Sequence, residues 1–365
     1  MKYQSIRYSG SKEKIIPKID SLLNESLAEA SIHNVLDGFS GSTRTSQFFK
    51  QKGYAVTSND MAIYSKVLAE CYLLADKPKE HYQKIISHLN NLKPQYGWFS
   101  ENYGGADNNG LSVQEDGLKR PFQFHITEKI DSIREEIDCL FPEDCVDKSV
   151  LLTSLLLSLD KVCNDLGHHV SYLKEWSTRS YNQLRLEVPN YRLDTTQKHK
   201  VYCSDVLSLR NNEFDLCYFD PPYGTSNQVT KTTRVRYFSY YHLWTTVCKN
   251  DKPKLFGNSK RREDVSSDSL PGAISVFEDT KDPVVENAFN NLLNFNTKYS
   301  LFSYSNRSKV PIDKLLDLIS AKAEIQKVLK FEHAPNSQTF ALTNGNWKSL
   351  HDEPNYEYLI LAKTK

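Results

Sequence analysis

The tetrapeptide Asp220-Pro221-Pro222-Tyr223 carries the clearest chemical signal in this sequence. It directly follows the apolar run 216–219, and a strand that reaches two prolines cannot continue its hydrogen-bond ladder. We therefore expect the Asp220 carboxylate and the Pro221 carbonyl at the carboxyl end of a strand, where open α/β sheets bind their ligands. These acceptors suit the two N–H bonds of an exocyclic amine conjugated to a ring, and Tyr223 offers a face on which that ring can stack. An amine held in this way becomes a nucleophile.

A second pattern, nearer the N-terminus, predicts a ligand-binding turn. Residues 34–39 read as a strand, and the turn Ser40-Gly41-Ser42 leads to a predicted helix, 43–52, closed by a glycine. A further predicted strand, 54–58, is followed by Asn59 and Asp60. The glycine lets the backbone approach a ligand at a helix N-terminus, and an acid in this place suits ribose hydroxyls. A dinucleotide oxidoreductase would use the same unit, although the full Gly-x-Gly-x-x-Gly pattern is missing.

The middle of the chain has helical periodicity. Apolar residues spaced by three and four predict an amphipathic helix over 126–140, and we predict a more buried helix over 150–162 and a third over 172–184. Before them, residues 96–110 are rich in Gly, Asn and aromatic residues and predict a long loop.

Strand patterns return at 201–204 and 214–219. We therefore predict an α/β fold whose sheet-forming domain, residues 1–76 and 196–365, is interrupted by a mostly helical insertion, residues 77–195.

The net charge of +1 conceals a local excess of cations. Residues 231–262 contain nine Lys and Arg residues and the single acid Asp251. A charge run is often only a solvated face, but this one follows the predicted site, and phosphate contacts supply most non-specific affinity for DNA. The predicted phosphate-binding residues are Arg234, Arg236, Lys260, Arg261 and Arg262.

Composition limits the remaining possibilities. With 365 residues, 39% hydrophobic and 25% charged, the chain can bury the core of one large domain with an insertion. The N-terminus has no apolar signal region, and the longest apolar segment, 151–159, is too short to span a bilayer, so we expect a cytoplasmic protein without membrane contact. Seven cysteines without a Cys-x-x-Cys pair argue against disulfides and zinc, and no metal is expected. His168-His169 is expected to be structural.

The order of these motifs resembles a known family. RYSGSK near the N-terminus, LDGFSGS, a helical insertion, YCSD, DPPY and a terminal EYLIL resemble the alpha group of DNA adenine N6-methyltransferases over essentially the whole chain. The resemblance implies a Rossmann-like methyltransferase sheet and an inserted target-recognition domain. It also implies S-adenosylmethionine as cofactor, double-stranded DNA as substrate, and site-specific methylation of a flipped-out adenine.

The resemblance further implies roles for individual residues. Those that would hold the cofactor are Tyr8 and Lys12 in the first motif, Asp37, Phe39 and Gly41 in the glycine-rich motif, Asp60 at the ribose, and Asp205 with Val206 beside the adenine. The catalytic residues would be Asp220, Pro221, Pro222 and Tyr223.

Two segments stand apart from this pattern. Thr43 occupies the position where the cofactor motif usually ends in glycine, and a β-branched residue tolerates positive φ badly. Either the turn differs from that of the family or Thr43 already lies in the helix. Cofactor affinity is the property that this substitution would affect. The segment 167–174, GHHVSYLK, resembles a recurrent segment of one subfamily and has no implied role.

The expected mechanism begins with base flipping, which costs a few kcal/mol and is partly offset by stacking on Tyr223, about 1 to 3 kcal/mol. Methyl transfer then needs proximity and orientation more than a strong base, and no metal. An aromatic cluster that follows could line the same pocket or pack in the core; its members are Tyr237, Tyr240, Tyr241 and Trp244.

Several alternatives remain open at this stage. An RNA adenine or protein amine methyltransferase would use a similar tetrapeptide, but neither explains the insertion and the basic flank. Cytosine N4 methylation of DNA is closer, although an initial Ser is its commoner signature. A non-catalytic binding module on a methyltransferase fold would not need Asp220, Tyr223 and Lys12, which are all present. A separately encoded restriction endonuclease is a possible partner.

Overall fold

The computed structural model describes residues 3–193, 196–222, 237–265, 275–278, 281–306, 308–332, 340–343, 346–349 and 354–365. The chain forms two compact units. The first comprises Met1–Ile16, Ser40–Asp205 and Val235–Ile274, and the second comprises Pro17–Phe39, Val206–Arg234 and Ser275–Lys365. Helices and strands are numbered along the chain.

The first unit is mostly helical. Its α-helices are α2 (Arg44–Gln51), α3 (Ile63–Ala69), α4 (Lys79–Asn90), α5 (Trp98–Tyr103), α6 (Phe124–Leu140), α7 (Val146–Val162), α8 (Tyr237–Tyr240) and α9 (His242–Lys249). Its strands are β2 (Ala55–Asn59), β3 (Gly104–Gly105), β4 (Phe122–Gln123), β5 (Lys200–Tyr202), β7 (Leu255–Phe256) and β8 (Arg261–Arg262). Strands β2 and β5 pair in parallel, and a π-helical turn, Glu70–Leu74, continues α3.

The second unit contains α1 (Ile16–Ser26), β1 (Asn34–Asp37), β6 (Phe214–Phe219), α10 (Asp282–Leu292), β9 (Thr297–Ser305), α11 (Ile312–Lys322), β10 (Ala323–Glu332), β11 (Phe340–Thr343), β12 (Asn346–Ser349) and β13 (Tyr356–Thr364). Within it, strands lie side by side in the order β10-β13-β9-β6-β1. The pairs β6–β1 and β6–β9 are parallel, whereas β13 is antiparallel to both its neighbours. The protein is therefore a mixed α/β fold, as predicted.

Local signals fix the elements around the predicted site. Helix α2 ends before Gly53, whose φ of +87° closes it, and β6 ends directly before Asp220. In α6, the isoleucines at 126, 130, 133 and 137 are fully buried, as their spacing predicts, whereas Leu140 is 43% exposed. Strands β1 and β2 and helix α7 are confirmed within a few residues of their predicted bounds.

Two predictions for the middle of the chain are wrong. The predicted loop 96–110 contains helix α5, and the predicted helix 172–184 contains only a 3-10 turn, Thr178–Tyr181. In the latter stretch the backbone bonds to distant residues: Leu173 N–H donates to the Asn164 carbonyl at 3.1 Å, and the Lys174 carbonyl accepts from Ser112 N–H at 2.9 Å. These long-range bonds replace the helical ladder.

One hydrophobic core lies in the first unit and includes residues from both inside and outside the range of the predicted insertion. Residues of α6 and α7, among them Ile130 and Leu155, belong to the same buried cluster as Leu68 of α3 and Leu243 of α9. The domain boundaries given by the sequence stay a prediction. All seven cysteines are free. Within the part of the chain that the structure describes, every helix is too short or too polar to cross a bilayer.

Candidate functional site

The glycine turn of the first unit is shaped by an aromatic ring. Gly41 has a φ of +46°, and a Cβ placed there would lie 2.9 Å from Cε1 of Tyr8. Both the backbone conformation and the Tyr8 ring therefore require glycine at this position. The structure thus brings together Tyr8 and Gly41, two residues predicted from separate motifs.

Asp60 fixes the same turn. One carboxylate oxygen accepts a hydrogen bond from Gly41 N–H at 2.8 Å, and the other accepts from Ala62 N–H at 2.9 Å. Burial raises the pKa of Asp60, and these backbone donors act in the opposite direction. A carboxylate has about four acceptor sites, so capacity remains for ribose hydroxyls. The role of Asp60 in holding the turn was not predicted from the sequence.

The N-terminal segment is anchored to helix α2. Arg44 donates hydrogen bonds to the hydroxyl of Ser11 at 3.1 Å and to the carbonyl of Ser5 at 3.3 Å. Ser11 N–H donates to the Tyr8 carbonyl at 3.1 Å, which forms a turn, and Lys12 follows with a buried side chain. Tyr8 and Lys12 are therefore presented from a fixed segment.

Tyr8 lies within a group of tyrosines. Its ring stacks on Tyr241 with centroids 4.6 Å apart and an interplanar angle of 18°, and Tyr237 lies 5.8 Å away. Burial raises the pKa of Tyr8 well above its usual range, and the nearby Tyr64 and Asp60 raise it further. Tyr241 is fully buried and belongs to the core, whereas Tyr237 is half-buried beside Tyr8.

In the second unit, two acids lie at the carboxyl ends of neighbouring parallel strands. Asp37 ends β1 in register with Tyr218 of β6, and Asp220 follows two residues beyond Tyr218. Burial raises the pKa of Tyr218 well above its usual range, and the negative charges of Asp220 and Asp37 raise it further. Asp37 is fully buried, Asp220 is half-buried and Pro221 is buried.

The remaining predicted cofactor residues have distinct surroundings. A Cβ on Gly38 would lie 3.1 Å from both Val206 and Phe219, so these side chains press against the backbone that follows β1. The Phe39 ring lies edge-on to Phe277 with centroids 5.2 Å apart. Asp205, in the first unit, is exposed after β5.

The predicted phosphate-binding residues differ among themselves. Lys260 and Arg261 are half-exposed, and the Arg261 guanidinium lies 4.5 Å from the centre of the Phe256 ring. Arg262 is buried and donates four hydrogen bonds of 2.6 to 2.9 Å to Asp251 and Asp264. Burial alone would lower the pKa of Arg262, but these carboxylates raise it overall.

These bonds occupy the donors that a phosphate would need, so the structure argues against a phosphate role for Arg262. The predictions for Tyr223, Arg234 and Arg236 lie outside the described residues.

A glycine turn between a strand and a helix, an acid after the second strand and an Asp-Pro-Pro stop at the end of a parallel strand fit the methyltransferase class of α/β enzymes. The model of the D12 class N6 adenine-specific DNA methyltransferase family matches residues 8–301, and the chain belongs to this family.

Named proteins share this similarity. The chain is 29% identical over 325 residues to modification methylase LlaI of Lactococcus lactis subsp. lactis, covering 86% of this chain and 48% of that protein. It is 28% identical over 272 residues to modification methylase StsI of Streptococcus sanguinis, covering 70% and 38%. It is 25% identical over 370 residues to type II methyltransferase M.FokI of Planomicrobium okeanokoites, covering 95% and 50%. The chain thus spans about half the length of these relatives, or less.

Proposed function

We propose that this protein transfers a methyl group from S-adenosylmethionine to N6 of a flipped-out adenine at a specific sequence in double-stranded DNA. The observation that carries the proposal is the end of β6, where Asp220 and two prolines follow the strand. Asp220 is half-buried there, and the neighbouring strand β1, which is parallel to β6, also ends in an acid, Asp37. The family match supports the same reaction.

The first unit offers groups that fit the cofactor. The turn has no space for a side chain at Gly41, and the Gly41 backbone lies next to the N-terminus of α2. Asp60 retains acceptor sites for ribose hydroxyls, and Tyr8 supplies a half-buried aromatic face. S-adenosylmethionine, when bound, supplies an electrophilic methyl group on a positively charged sulfur.

In the second unit, Asp220 would act on the adenine. Its carboxylate and the Pro221 carbonyl would accept the two N–H bonds of the amine and leave the nitrogen lone pair available for attack. A C–N bond forms as the C–S bond breaks, and the amine then loses a proton to solvent. The contribution of Asp220 is orientation and electrostatic stabilisation of the nitrogen as its positive charge develops.

We assign DNA contacts to two groups of residues. Lys260 and Arg261 would meet phosphates, together with Arg234 and Arg236. Exposed polar side chains of residues 77–195 would read base edges in the grooves. Because the relatives are named modification methylases, a separately encoded restriction endonuclease is part of the proposal as a partner.

The proposal is tested with Asp220→Ala. We expect the single-turnover methylation rate to fall by more than about a hundredfold, as on removal of one preorganised electrostatic group. DNA affinity, measured by fluorescence anisotropy, should change little. The matched control is Glu213→Ala, which removes an exposed acid beside the opposite end of β6 and should keep the wild-type rate. Near-normal turnover by Asp220→Ala would exclude the catalytic assignment.

The product distinguishes the alternatives. Chromatography of nucleosides from duplex DNA treated with the enzyme and cofactor should yield N6-methyladenine. N4-methylcytosine would instead identify the cytosine reaction. Stronger labelling of RNA than of DNA would identify an RNA methyltransferase.

A further inference from the structure

Arg7 connects the N-terminal segment to the end of helix α7. Its backbone N–H donates to the Asp160 carboxylate at 2.9 Å, and its side chain donates to the same carboxylate at 3.1 Å and to the Asp160 carbonyl at 2.7 Å. A further guanidinium nitrogen lies 3.0 Å from the carboxylate of Asp165. The residue directly before Tyr8 is therefore fixed to the helical insertion.

Asp165 is the centre of a buried network. Its side chain is 1% exposed and accepts hydrogen bonds from Gly167 N–H at 2.9 Å and from Arg179 at 3.1 Å. The His169 ring lies 3.5 Å away on the other carboxylate oxygen. Burial works to raise the pKa of Asp165, but His169 and Arg7 outweigh it and hold this pKa below its usual range. Asp165 is thus a charged group enclosed by donors.

His169 carries the network to helices α8 and α9. The backbone N–H of His169 donates to the Tyr240 carbonyl at 2.7 Å, and its backbone carbonyl accepts from Nε2 of His242 at 3.0 Å. Its ring meets Trp244 edge-on at 4.4 Å and lies 6.0 Å from Tyr241. His169 therefore fixes the part of the chain from which Tyr241 projects.

Tyr241 connects this network back to the N-terminal segment. Its hydroxyl accepts a hydrogen bond from Ser9 N–H at 2.6 Å, and its ring stacks on Tyr8. Tyr8 in turn lies against the Gly41 turn. Both flanks of Tyr8 are consequently held by the same buried network, through Arg7 on one side and Ser9 on the other.

The same cluster could be considered as a metal site, because ligand atoms of Cys163, Asp165 and His169 lie within 4.8 Å of one another. Two guanidinium groups, from Arg7 and Arg179, already contact Asp165 and oppose a further cation there. Burial also raises the pKa of the Cys163 thiol well above its usual range, which disfavours the thiolate that binds metals. The cluster is better explained as an ion-pair network.

We propose that Asp165 and His169, although they lie in the helical insertion, are positioning residues for the cofactor: through Arg7 and Tyr241 they hold Tyr8 against the Gly41 turn. This gives a role to the segment 167–174, and it rests on the proposed function. Loss of the network leaves the turn intact but frees the Tyr8 ring, so the enzyme binds the cofactor less tightly.

The experiment measures the dissociation constant of S-adenosylmethionine by calorimetry, with KM for cofactor, KM for DNA and kcat. In Tyr241→Phe and Asp165→Asn we expect cofactor binding to weaken about tenfold, which is the effect of about one lost hydrogen bond. KM for DNA, and kcat at saturating cofactor, should stay within about twofold. The control, Glu25→Gln, removes the charge of an exposed acid that pairs with Lys327, outside the residues assigned to DNA or cofactor, and should change none of these values.

A second control separates positioning from general stability. Ile137→Val removes one methylene group from the fully buried face of α6, away from the network. It should lower the unfolding midpoint and leave cofactor affinity unchanged. If Asp165→Asn does not fold, Tyr241→Phe decides the question, because it removes a single oxygen atom.

The outcomes are distinct. Unchanged cofactor affinity in folded Tyr241→Phe, with wild-type protein that binds the cofactor normally, overturns this inference alone. Wild-type protein that does not bind S-adenosylmethionine overturns the proposed function and this inference with it. A stoichiometric metal ion in the purified protein that is lost in Asp165→Asn also overturns it, in favour of a metal site.

Discussion

Thr43 is held in a conformation that its own side chain opposes. It is fully buried with a φ of +63°, its N–H donates to the Ser40 carbonyl at 2.6 Å, and its carbonyl accepts from Gln47 at 2.9 Å. Thr43 therefore closes the glycine turn and begins α2. The sequence offered two explanations for a threonine here, an altered turn or a residue inside the helix. The structure shows instead a left-handed residue at the N-cap, with a strain of about 1 to 2 kcal/mol.

This strain predicts a difference between two variants of Thr43. Thr43→Ala and Thr43→Gly both remove the methyl group and the hydroxyl, which donates to the Ser42 carbonyl. Only glycine also removes the Cβ that opposes positive φ. The glycine variant should therefore be more stable than the alanine variant by about 1 kcal/mol. Urea unfolding measures the difference. An alanine variant at least as stable as the glycine variant would show that Thr43 is not strained.

His242 provides a pH-dependent contribution to stability. It is fully buried, and burial lowers its pKa well below the usual range; the neighbouring His169, Arg261 and Arg262 lower it further. The unfolded chain, with a histidine pKa of about 6.5, therefore binds a proton more readily than the folded protein. The stability contribution is complete above about pH 6.5 and is lost as the pH falls toward the folded pKa.

Replacing His242 should flatten this dependence. His242→Gln keeps an N–H that can reach the His169 carbonyl but does not titrate. We expect the free energy of unfolding to decline less steeply between about pH 6.5 and 5 than in the wild type. Urea midpoints measured across this range test it, and because slopes are compared, a uniform loss of stability does not matter. Equal slopes would assign the dependence to other groups, such as His168, whose pKa is also lowered by burial.

At the scale of elements, prediction succeeded where local signals decide the structure. Strand β6 was predicted at its observed bounds, because an apolar run there meets two prolines. Helix α2 ends within a residue of the predicted end, because Gly53 takes the positive φ that terminates it. The isoleucine spacing of α6 gave its buried face. In each case the determining residues lie within a few positions of one another.

Prediction failed where a distant residue decides. Helix α5 begins because the Asp131 carboxylate accepts hydrogen bonds from the N–H groups of Gly97, Phe99 and Ser100. These partners are 31 to 34 residues away in sequence, so the segment by itself contains only the turn-forming composition that predicts a loop. A carboxylate from another helix supplies the N-cap that the local sequence lacks.

The same distinction applies to the candidate site. Asp60 and Gly41 could each be predicted from their place beside a strand. The hydrogen bond between them could not be predicted, nor could the contact of Gly41 with Tyr8, which lies 33 positions earlier in the sequence. Arg262 was predicted from a run of cations, whereas its pairing with Asp264 depends on how β8 and the next turn fold.

The whole molecule has almost no net charge, with 46 basic and 45 acidic residues, so the proposed affinity for DNA depends on local cations. Carboxylates already pair with Lys249, Lys252 and Arg262. Lys260 and Arg261, by contrast, have no carboxylate within ion-pair distance among the residues that the structure describes. Burial lowers the pKa of both, and for Lys260 the charges of Asp116 and Glu101 act in the opposite direction.

These local differences predict how the protein responds to salt. Replacing Lys260 and Arg261 together by Gln should weaken binding to cognate and unrelated duplexes alike and reduce the salt slope by about 0.9 for each lost phosphate contact. Arg262→Gln should leave that slope unchanged and lower the unfolding midpoint, because it leaves Asp251 and Asp264 without their shared partner. Affinity measured against salt concentration on two duplexes tests both expectations. If the double variant keeps the wild-type slope, this surface is only solvated, and DNA must approach through other cations.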